Sequence, residues 1–321
     1  MTAGQDRKYP SPQLVTSVHH PLIILADDLT GACDAAVAFA SASDPIRVHI
    51  NGEPLEAACV QAITTESRDL PAADAQVQIR SIVERLPSSV ELFKKIDSVL
   101  RGSTLAEIAT VLRHAQFDLA VLAPAYPTLG RTVSESVLYI RDAAGDRNLP
   151  IAELLADAGC LLTAVPADLS VDEFTATIRR CLNNPRAAVL CDTATQDDLT
   201  RIVTAARSLN KKILWIGSGG LAHALAAPLP PLKQNPALQS RSGHTIFFIG
   251  SPHPVTRAQV EYFQSTIQIP DYRGGSAHSH ATDPLVPIIL GKTSADDIRR
   301  ATATYDPSQT EIGRASCRER V

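Results

Sequence analysis

The chain has no surplus of positive charge: 30 Lys and Arg stand against 34 Asp and Glu, giving a net charge of −4 with no basic stripe. That argues against a nucleic-acid partner. No apolar run approaches the roughly 18 residues of a membrane span, and residues 1–20 lack the apolar core of a signal peptide. The expectation is a cytoplasmic protein with no membrane contact and a disordered lead-in over residues 1–20. Six cysteines are present without a CxxC spacing, and Cys33, Cys59, Cys160, Cys181 and Cys191 fall inside apolar segments. Buried free thiols are expected, with no metal site and no disulfides. What is present is 45% apolar residues and a mean hydropathy of +0.01, the balance of a globular protein. At 321 residues the chain exceeds one domain of about 100 to 200 residues, so two units are expected.

The stretch from Pro21 to Ala40, PLIILADDLTGACDAAVAFA, reads as strand, loop and helix. Leu22 to Ala26 is a short continuous apolar run, the mark of a strand buried on both faces of a parallel sheet. Ligands of open α/β sheets bind beyond the carboxyl ends of the strands, where Asp27, Asp28, Thr30 and Gly31 fall. With no GxxxxGK[ST] motif, two acids would repel a bare phosphate. They suit sugar hydroxyls, a hydroxyl awaiting deprotonation, or a magnesium ion. Asp28 alone could simply cap the next helix. Two adjacent acids cannot both do so.

The pattern repeats downstream. Ile46 to Ile50 and Cys59 to Thr65 read as strands, and the second runs into Glu66, Ser67 and Arg68. Arg68 offers a planar fork suited to a carboxylate, although a solvated surface loop would look the same. Ala75, Ile79, Ile82, Val83 and Leu86 make one apolar helix face. A strand through Phe93 then gives way to Lys94, Lys95, Asp97, Ser98, Arg101 and Gly102. A helix follows, with Thr104 and Glu107 at capping-box spacing and Leu105, Ile108 and Leu112 as its buried stripe. Lys94 reads as a solvated neighbour, whereas Lys95, Asp97 and Arg101 together suit an anionic, hydroxylated ligand. The fourth strand, in FDLAVLAPAYPTLGRTV, ends in a loop stiffened by Pro124 and Pro127, turned at Gly130 and followed by Arg131.

ADDLTGA, the ESR triplet, KKIDSVLRGS and PAYPTLGRT, in this order, resemble the successive signatures of the four-carbon acid sugar kinase family. The resemblance implies phosphorylation of threonate, erythronate or 3-oxo-tetronate with ATP. It also implies a Rossmann-like substrate domain followed by a nucleotide-binding domain. Carried over, the substrate contacts are Asp27 or Asp28, Arg68, and the segment Lys95 to Ser98. Val99 departs from the family's DSTLRG, which touches specificity rather than class.

Residues 134–150 suit a hairpin or flap. Ser170 and Glu173 have capping-box spacing, Ala187 to Cys191 reads as a strand, and Leu199, Ile202, Val203 and Ala206 mark a helix. ILWI enters GSGGLAHALA, where Gly217, Ser218, Gly219 and Gly220 precede a helix whose free N–H groups suit a carboxylate or phosphate, or else permit close strand-to-helix packing. The segment fails as a GxGxxG fingerprint. Pro-rich residues 228–243 form the linker. A new unit opens at Ile246 to Ile249 and feeds Gly250, Ser251, Pro252 and His253, with a helix through Val255, Gln259 and Phe263 and a later strand from Val286 to Leu290. By resemblance Ser251 contacts ATP, and the family's glycine-rich GGxTA loop is absent. Residues 312–321, IGRASCRERV, resemble a translated sequencing adapter and are expected to lie outside the fold.

The expectation is therefore an α/β protein. A Rossmann-like parallel-sheet substrate domain over residues 21–227 is followed by an incomplete α/β nucleotide-binding domain over 244–311. Asp27, Asp28 and Asp97 are the candidate catalytic acids. Asp27, Arg68, Lys95, Asp97, Ser98, Arg101 and Arg131 would meet the sugar acid, and Gly219, Gly250 and Ser251 the nucleotide. ATP with Mg²⁺ is the implied cofactor, a homo-oligomer is admissible, and the chain as written is expected to bind the sugar acid without turning over ATP. The rivals are a nicotinamide-dependent sugar-acid dehydrogenase and a non-catalytic sugar-acid binding module.

Overall fold

A computed structural model describes residues 21–40, 46–50, 60–142, 145–184, 186–227, 244–249, 258–259, 261–262, 265, 285–289 and 310–315. The chain divides into a unit ending at Asn235 and a second beginning at Pro236, a boundary inside the proline-rich stretch expected to be the linker.

Eight strands form one parallel sheet in the first unit. They are β1 (Leu22–Ala26), β2 (Arg47–His49), β3 (Gln61–Thr64), β4 (Glu91–Lys95), β5 (Leu119–Ala123), β9 (Thr163–Val165), β10 (Ala187–Cys191) and β11 (Ile213–Gly217). Their order is β2-β3-β1-β4-β11-β5-β10-β9, and every pairing is parallel. The α/β, parallel-sheet class read from the sequence is the one observed.

Helices cover both faces. The side chains of the central strands alternate between two cores, as the period of two requires. Leu22, Ile24, Phe93, Val121 and the fully buried Trp215 point to the layer of α1 (Leu29–Ala36), α5 (Val171–Cys181), α6 (Gln196–Ser208) and α7 (Gly219–Ala226). Ile23, Leu25, Leu92, Leu122 and Ile216 point the other way, toward α2 (Ala72–Val83), α3 (Thr104–His114) and α4 (Ile151–Asp157). The apolar runs read as doubly buried strands are just that.

A separate antiparallel sheet is formed by β6 (Arg131–Ser134), β7 (Val137–Ile140) and β8 (Arg147–Pro150), three strands where a hairpin or flap was expected over residues 134–150. Asp192, at the end of β10, accepts from the backbone N–H of Glu135 and Ser136 at 2.8 and 2.9 Å and so pins the β6–β7 turn. Both turn residues have positive φ, the primed geometry that two-residue hairpins favour.

Capping follows the sequence at α5 and departs from it at α3. Ser170 and Glu173 make the expected capping box on α5. At α3 the expected box between Thr104 and Glu107 is not formed: the Thr104 hydroxyl donates to Arg101 O at 2.6 Å, and Glu107 turns inward to Lys94. Lys94 is likewise not a solvated neighbour. β4 continues two residues past Phe93, so Lys94 and Lys95 occupy successive strand positions and project to opposite faces, both buried.

The second unit shows three parallel strands, with β12 (His244–Ile249) between β13 (Leu285–Ile289) and β14 (Thr310–Ala315). The strands expected at 246–249 and 286–290 are thus present within two residues of their expected bounds. Residues 312–315, expected outside the fold, pair with β12, whose open edge can template a neighbouring extended segment. Gly250, Ser251, His253, Val255 and Phe263 lie outside the described residues. Among the described residues no helix is long and apolar enough to cross a membrane.

Candidate functional site

β1 lies between β3 on one side and β4 on the other, so the chain leaves it in two directions and opens a crevice at its carboxyl end. Three loops meet there.

The first follows β1. Asp27 is 1% exposed, and Asp28 caps α1 by accepting from Gly31 N at 2.7 Å. Capping does not exhaust Asp28, because its carboxylate also takes Arg68 Nη1 at 2.5 Å and Nη2 at 3.0 Å. Gly31 allows this closeness: a Cβ there would lie 2.6 Å from Asp28 Oδ1 and 3.4 Å from Lys95 Nζ.

The second loop follows β3. It is fastened to the first by its backbone, with Ser67 N and Arg68 N both donating to Asp27 O at 2.9 and 3.3 Å. Glu66 takes a positive φ of 48° to make the turn. Arg68 then lays its fork on Asp27, with Nε to Oδ2 and Nη2 to Oδ1 each at 2.9 Å, and reaches within 3.9 Å of Asp97. Burial works against the Arg68 charge, but hydrogen bonding to Asp27 and the charges of Asp27, Asp28 and Asp97 more than reverse this, and its pKa is raised. Arg68 is therefore a fixed cation whose fork is already filled by two carboxylates. A bidentate grip on an incoming carboxylate would require Asp28 to let go.

The third loop follows β4. Lys95 points toward α1, donates to Ile96 O at 3.1 Å, and is held below the usual lysine range by burial, opposed by Asp27, Asp97 and Asp28. Asp97 accepts from Arg101 Nε at 3.0 Å, Arg101 Nη2 at 2.7 Å and Arg101 N at 3.1 Å. Burial raises the Asp97 carboxyl, yet the hydrogen bonds and charge of Arg101 outweigh it and bring it from 3.8 to about 2. Ser98 is half-buried in the same turn.

The sign of the resulting pH dependence follows. A carboxyl lowered in the folded state binds fewer protons there than in the unfolded chain, so its stabilisation is full above about 4 and is lost as pH falls through about 2. At neutral pH this is worth about 2 kcal/mol. Urea unfolding between pH 5 and 2 should show a steeper acid loss for the native chain than for Asp97→Asn. Parallel curves would mean that Asp97 is not held by Arg101 in solution.

Asp27, Asp28, Arg68, Lys95, Asp97 and Arg101 are thus brought together, three carboxylates against three cations. Asp27, Lys95 and Asp97 form its buried floor. Arg101, with 64% of its side chain exposed, forms the rim. Such a surface, charged but locally neutral and rich in both donors and acceptors, suits a small polyhydroxylated acid better than an apolar ligand.

Arg131 begins β6, where it donates to Leu129 O and approaches Asp142 at 3.4 Å rather than pairing with Asp27, Asp28 or Asp97. Gly219 opens α7, and a Cβ there would lie 2.7 Å from the Tyr126 ring and 2.8 Å from Asp34 Oδ2. Ser218 caps the same helix and donates to Ala125 O at 2.7 Å. Close packing accounts for the glycines of this segment. Ser67, Lys94 and Glu107, none of them given a site role from the sequence although Ser67 and Lys94 lie inside the ESR and KKIDSVLRGS segments, form a buried line that begins at the residue before Arg68. The available signal was Glu107 itself, a carboxylate on the same helix face as Thr104 and Val111.

Comparison with known proteins gives the family of the first unit. A family model described as a sugar-binding N-terminal domain matches residues 22–225. A D-threonate kinase of Bordetella bronchiseptica is 35% identical over 75% of this chain and 62% of its own length. A D-threonate kinase of Cupriavidus necator is 34% identical, over 64% and 54% respectively. A crystal structure of a Bordetella bronchiseptica domain of unknown function, with bound citrate and in a domain-swapped dimer, superimposes with a TM-score of 0.54 at 31% identity, covering 77% of this chain and 65% of that one. The chain spans less than two thirds of the length of the curated relatives it matches. From the match over residues 22–225, this chain belongs to the sugar-binding N-terminal domain family.

Proposed function

We propose that the first unit binds a four-carbon sugar acid, such as threonate, erythronate or 3-oxo-tetronate, as the acceptor half of an ATP-dependent kinase. The observation that carries this reading is the convergence of Asp27, Asp28, Arg68, Lys95, Asp97 and Arg101 where β1 parts from β3 and β4. The names of the relatives, D-threonate kinase and D-erythronate kinase, supply the reaction class.

In this reading Arg101 meets the substrate carboxylate at the rim, and Lys95 with Arg68 provides the positive floor that keeps it there. Ser98 and Arg131 are further contacts with the sugar acid. Asp27, Asp28 and Asp97 orient hydroxyls, and one of them takes the proton of the hydroxyl that is phosphorylated. ATP supplies the phosphoryl group, and catalysis by the chain is then mostly positioning and charge balance. Gly250 and Ser251 remain the residues assigned to the nucleotide, whereas Gly219, expected from the sequence to join them, is accounted for by its packing against Tyr126 and Asp34. Among the described residues no group of His, Cys, Asp or Glu is arranged to hold a metal ion. Asp27, Asp28 and Asp97 spend their oxygens on arginines, so they do not form a magnesium cage, and Mg²⁺ is assigned to the nucleotide rather than to them.

Calorimetric titration of the chain with threonate, erythronate, their neutral lactones, ATP and NAD tests the proposal. The acids are expected to bind and the lactones to bind at least tenfold more weakly, the size of one hydrogen-bonded charge. Binding of NAD without any tetronate would favour a dehydrogenase instead. Equal affinity for acid and lactone would remove the role given to the cations.

A further inference from the structure

Directly behind the crevice, a charged line crosses the layer between the sheet and α3. Lys94, fully buried on β4, places Nζ 2.6 Å from Oε2 of Glu107, which is 1% exposed on the first turn of α3. The other oxygen of Glu107 accepts from the hydroxyl of Ser67, which is itself fully buried. Ser67 continues to Thr65 by a hydroxyl contact of 2.6 Å, and Thr65 donates to Ala26 O at 3.0 Å, at the end of β1. Every member lies between the β3 loop and its supports, and Ser67 is flanked by Glu66 and Arg68.

Such a line is an expensive way to fill a core. Apart from each other, neither Lys94 Nζ nor Glu107 Oε2 has a hydrogen-bond partner among the described residues, so the Ser67 hydroxyl on Glu107 Oε1 is the further contact set against the desolvation of two charges. Buried ion pairs of this kind give little net stability, and their better-attested use is to fix a register. The register at stake here is that of the loop carrying Arg68. Shifting Ser67 would move the fork off Asp27 and Asp28, and with it the floor of the site.

We propose that Ser67, Glu107 and Lys94 are positioning residues for the sugar-acid site, holding Arg68 at the height where it meets Asp27 and Asp28. None of the three touches the ligand in this assignment. The inference rests on the function proposed above for its ligand, but its geometric part does not.

Two variants test it. Lys94→Met with Glu107→Leu replaces the pair by apolar side chains of similar size, a change that commonly leaves stability equal or higher. Ser67→Ala cuts the line at its other end. Each is followed by thermal melting, by the NMR signal of the Arg68 Nε–H, and by titration with threonate. The expected result for the double variant is an unchanged or raised melting temperature, a shifted or broadened Arg68 signal, and roughly tenfold to hundredfold weaker threonate binding, the size of a hydrogen bond to a charged group. Ser67→Ala should move the Arg68 signal in the same way, and Ser67→Thr, which keeps the hydroxyl, should restore part of it. An Arg68 signal unchanged in either variant overturns the proposal, whatever the native chain binds. If the native chain binds no tetronate while the Arg68 signal moves as expected, the positioning stands and the substrate reading falls.

Discussion

Replacing Arg68 with alanine is expected to destabilise the first unit and to abolish binding of the sugar acid. Arg68 makes four hydrogen bonds to two carboxylates and faces a third at 3.9 Å. Without it Asp27, which is buried, and Asp28 keep Lys95 and, for Asp28, the more exposed Arg101 as neighbouring cations, and the cluster changes from balanced to net negative. Removing one partner of a buried ion pair costs about 3–5 kcal/mol, and the uncompensated acids would then repel an anionic ligand. The asymmetry can be measured. Asp27→Asn added to Arg68→Ala should recover part of the lost stability, because the double variant no longer leaves a buried unpaired charge, and a double-mutant cycle from urea unfolding gives the coupling. Additive losses would show that Arg68 and Asp27 do not depend on each other, which the geometry forbids.

The parts of this site that were legible in the sequence share one physical signature. A short apolar run forces burial on both faces of a strand, and a polar residue type directly after it must then stand at the sheet edge, as Asp27 and Arg68 do. The meeting of those loops depends on strand order, which no local pattern carries. Local patterns misled where a tertiary partner competed. Thr104 and Glu107 have the spacing of a capping box, but Lys94 lies across the layer as an otherwise uncompensated buried cation, and Glu107 answers that larger electrostatic demand. Lys94 and Lys95 look alike as neighbours in sequence, and one extra strand residue sends them to opposite cores. The mutual neutralisation of Arg68 by Asp27 and Asp28 was also beyond a linear reading, since the three come from two loops about forty residues apart. It recasts Arg68 from a free carboxylate clamp to the tie that holds two acids in place.

Gly102→Ala should have an effect on the site out of proportion to its size. Gly102 has a φ of +67°, and a Cβ there would sit 2.2 Å from the backbone carbonyl oxygen of Arg68 and 3.1 Å from its Cγ. An alanine in such a backbone conformation costs about 1–3 kcal/mol of strain by itself, and a contact of that closeness must also move one of the two loops. The obstacle is backbone rather than the end of a flexible side chain, so no rotamer change relieves it. The neighbouring Ser103 hydroxyl donates to Leu70 O at 2.8 Å, two residues past Arg68, so the β4 loop is tied to the β3 loop there and cannot simply swing away. Gly159→Ala is the matched comparison: its φ is +77°, and among the described residues a Cβ there would meet Arg113 Nη2 at 3.4 Å, the end of a flexible side chain. Both variants should lose stability through the positive φ. Only Gly102→Ala should also shift the Arg68 Nε–H signal and weaken threonate binding by tenfold or more, the change produced by roughly 1.4 kcal/mol. Equal threonate affinity in the two variants would mean that Gly102 serves the turn alone, and that the height of Arg68 is set from the Ser67 side without it.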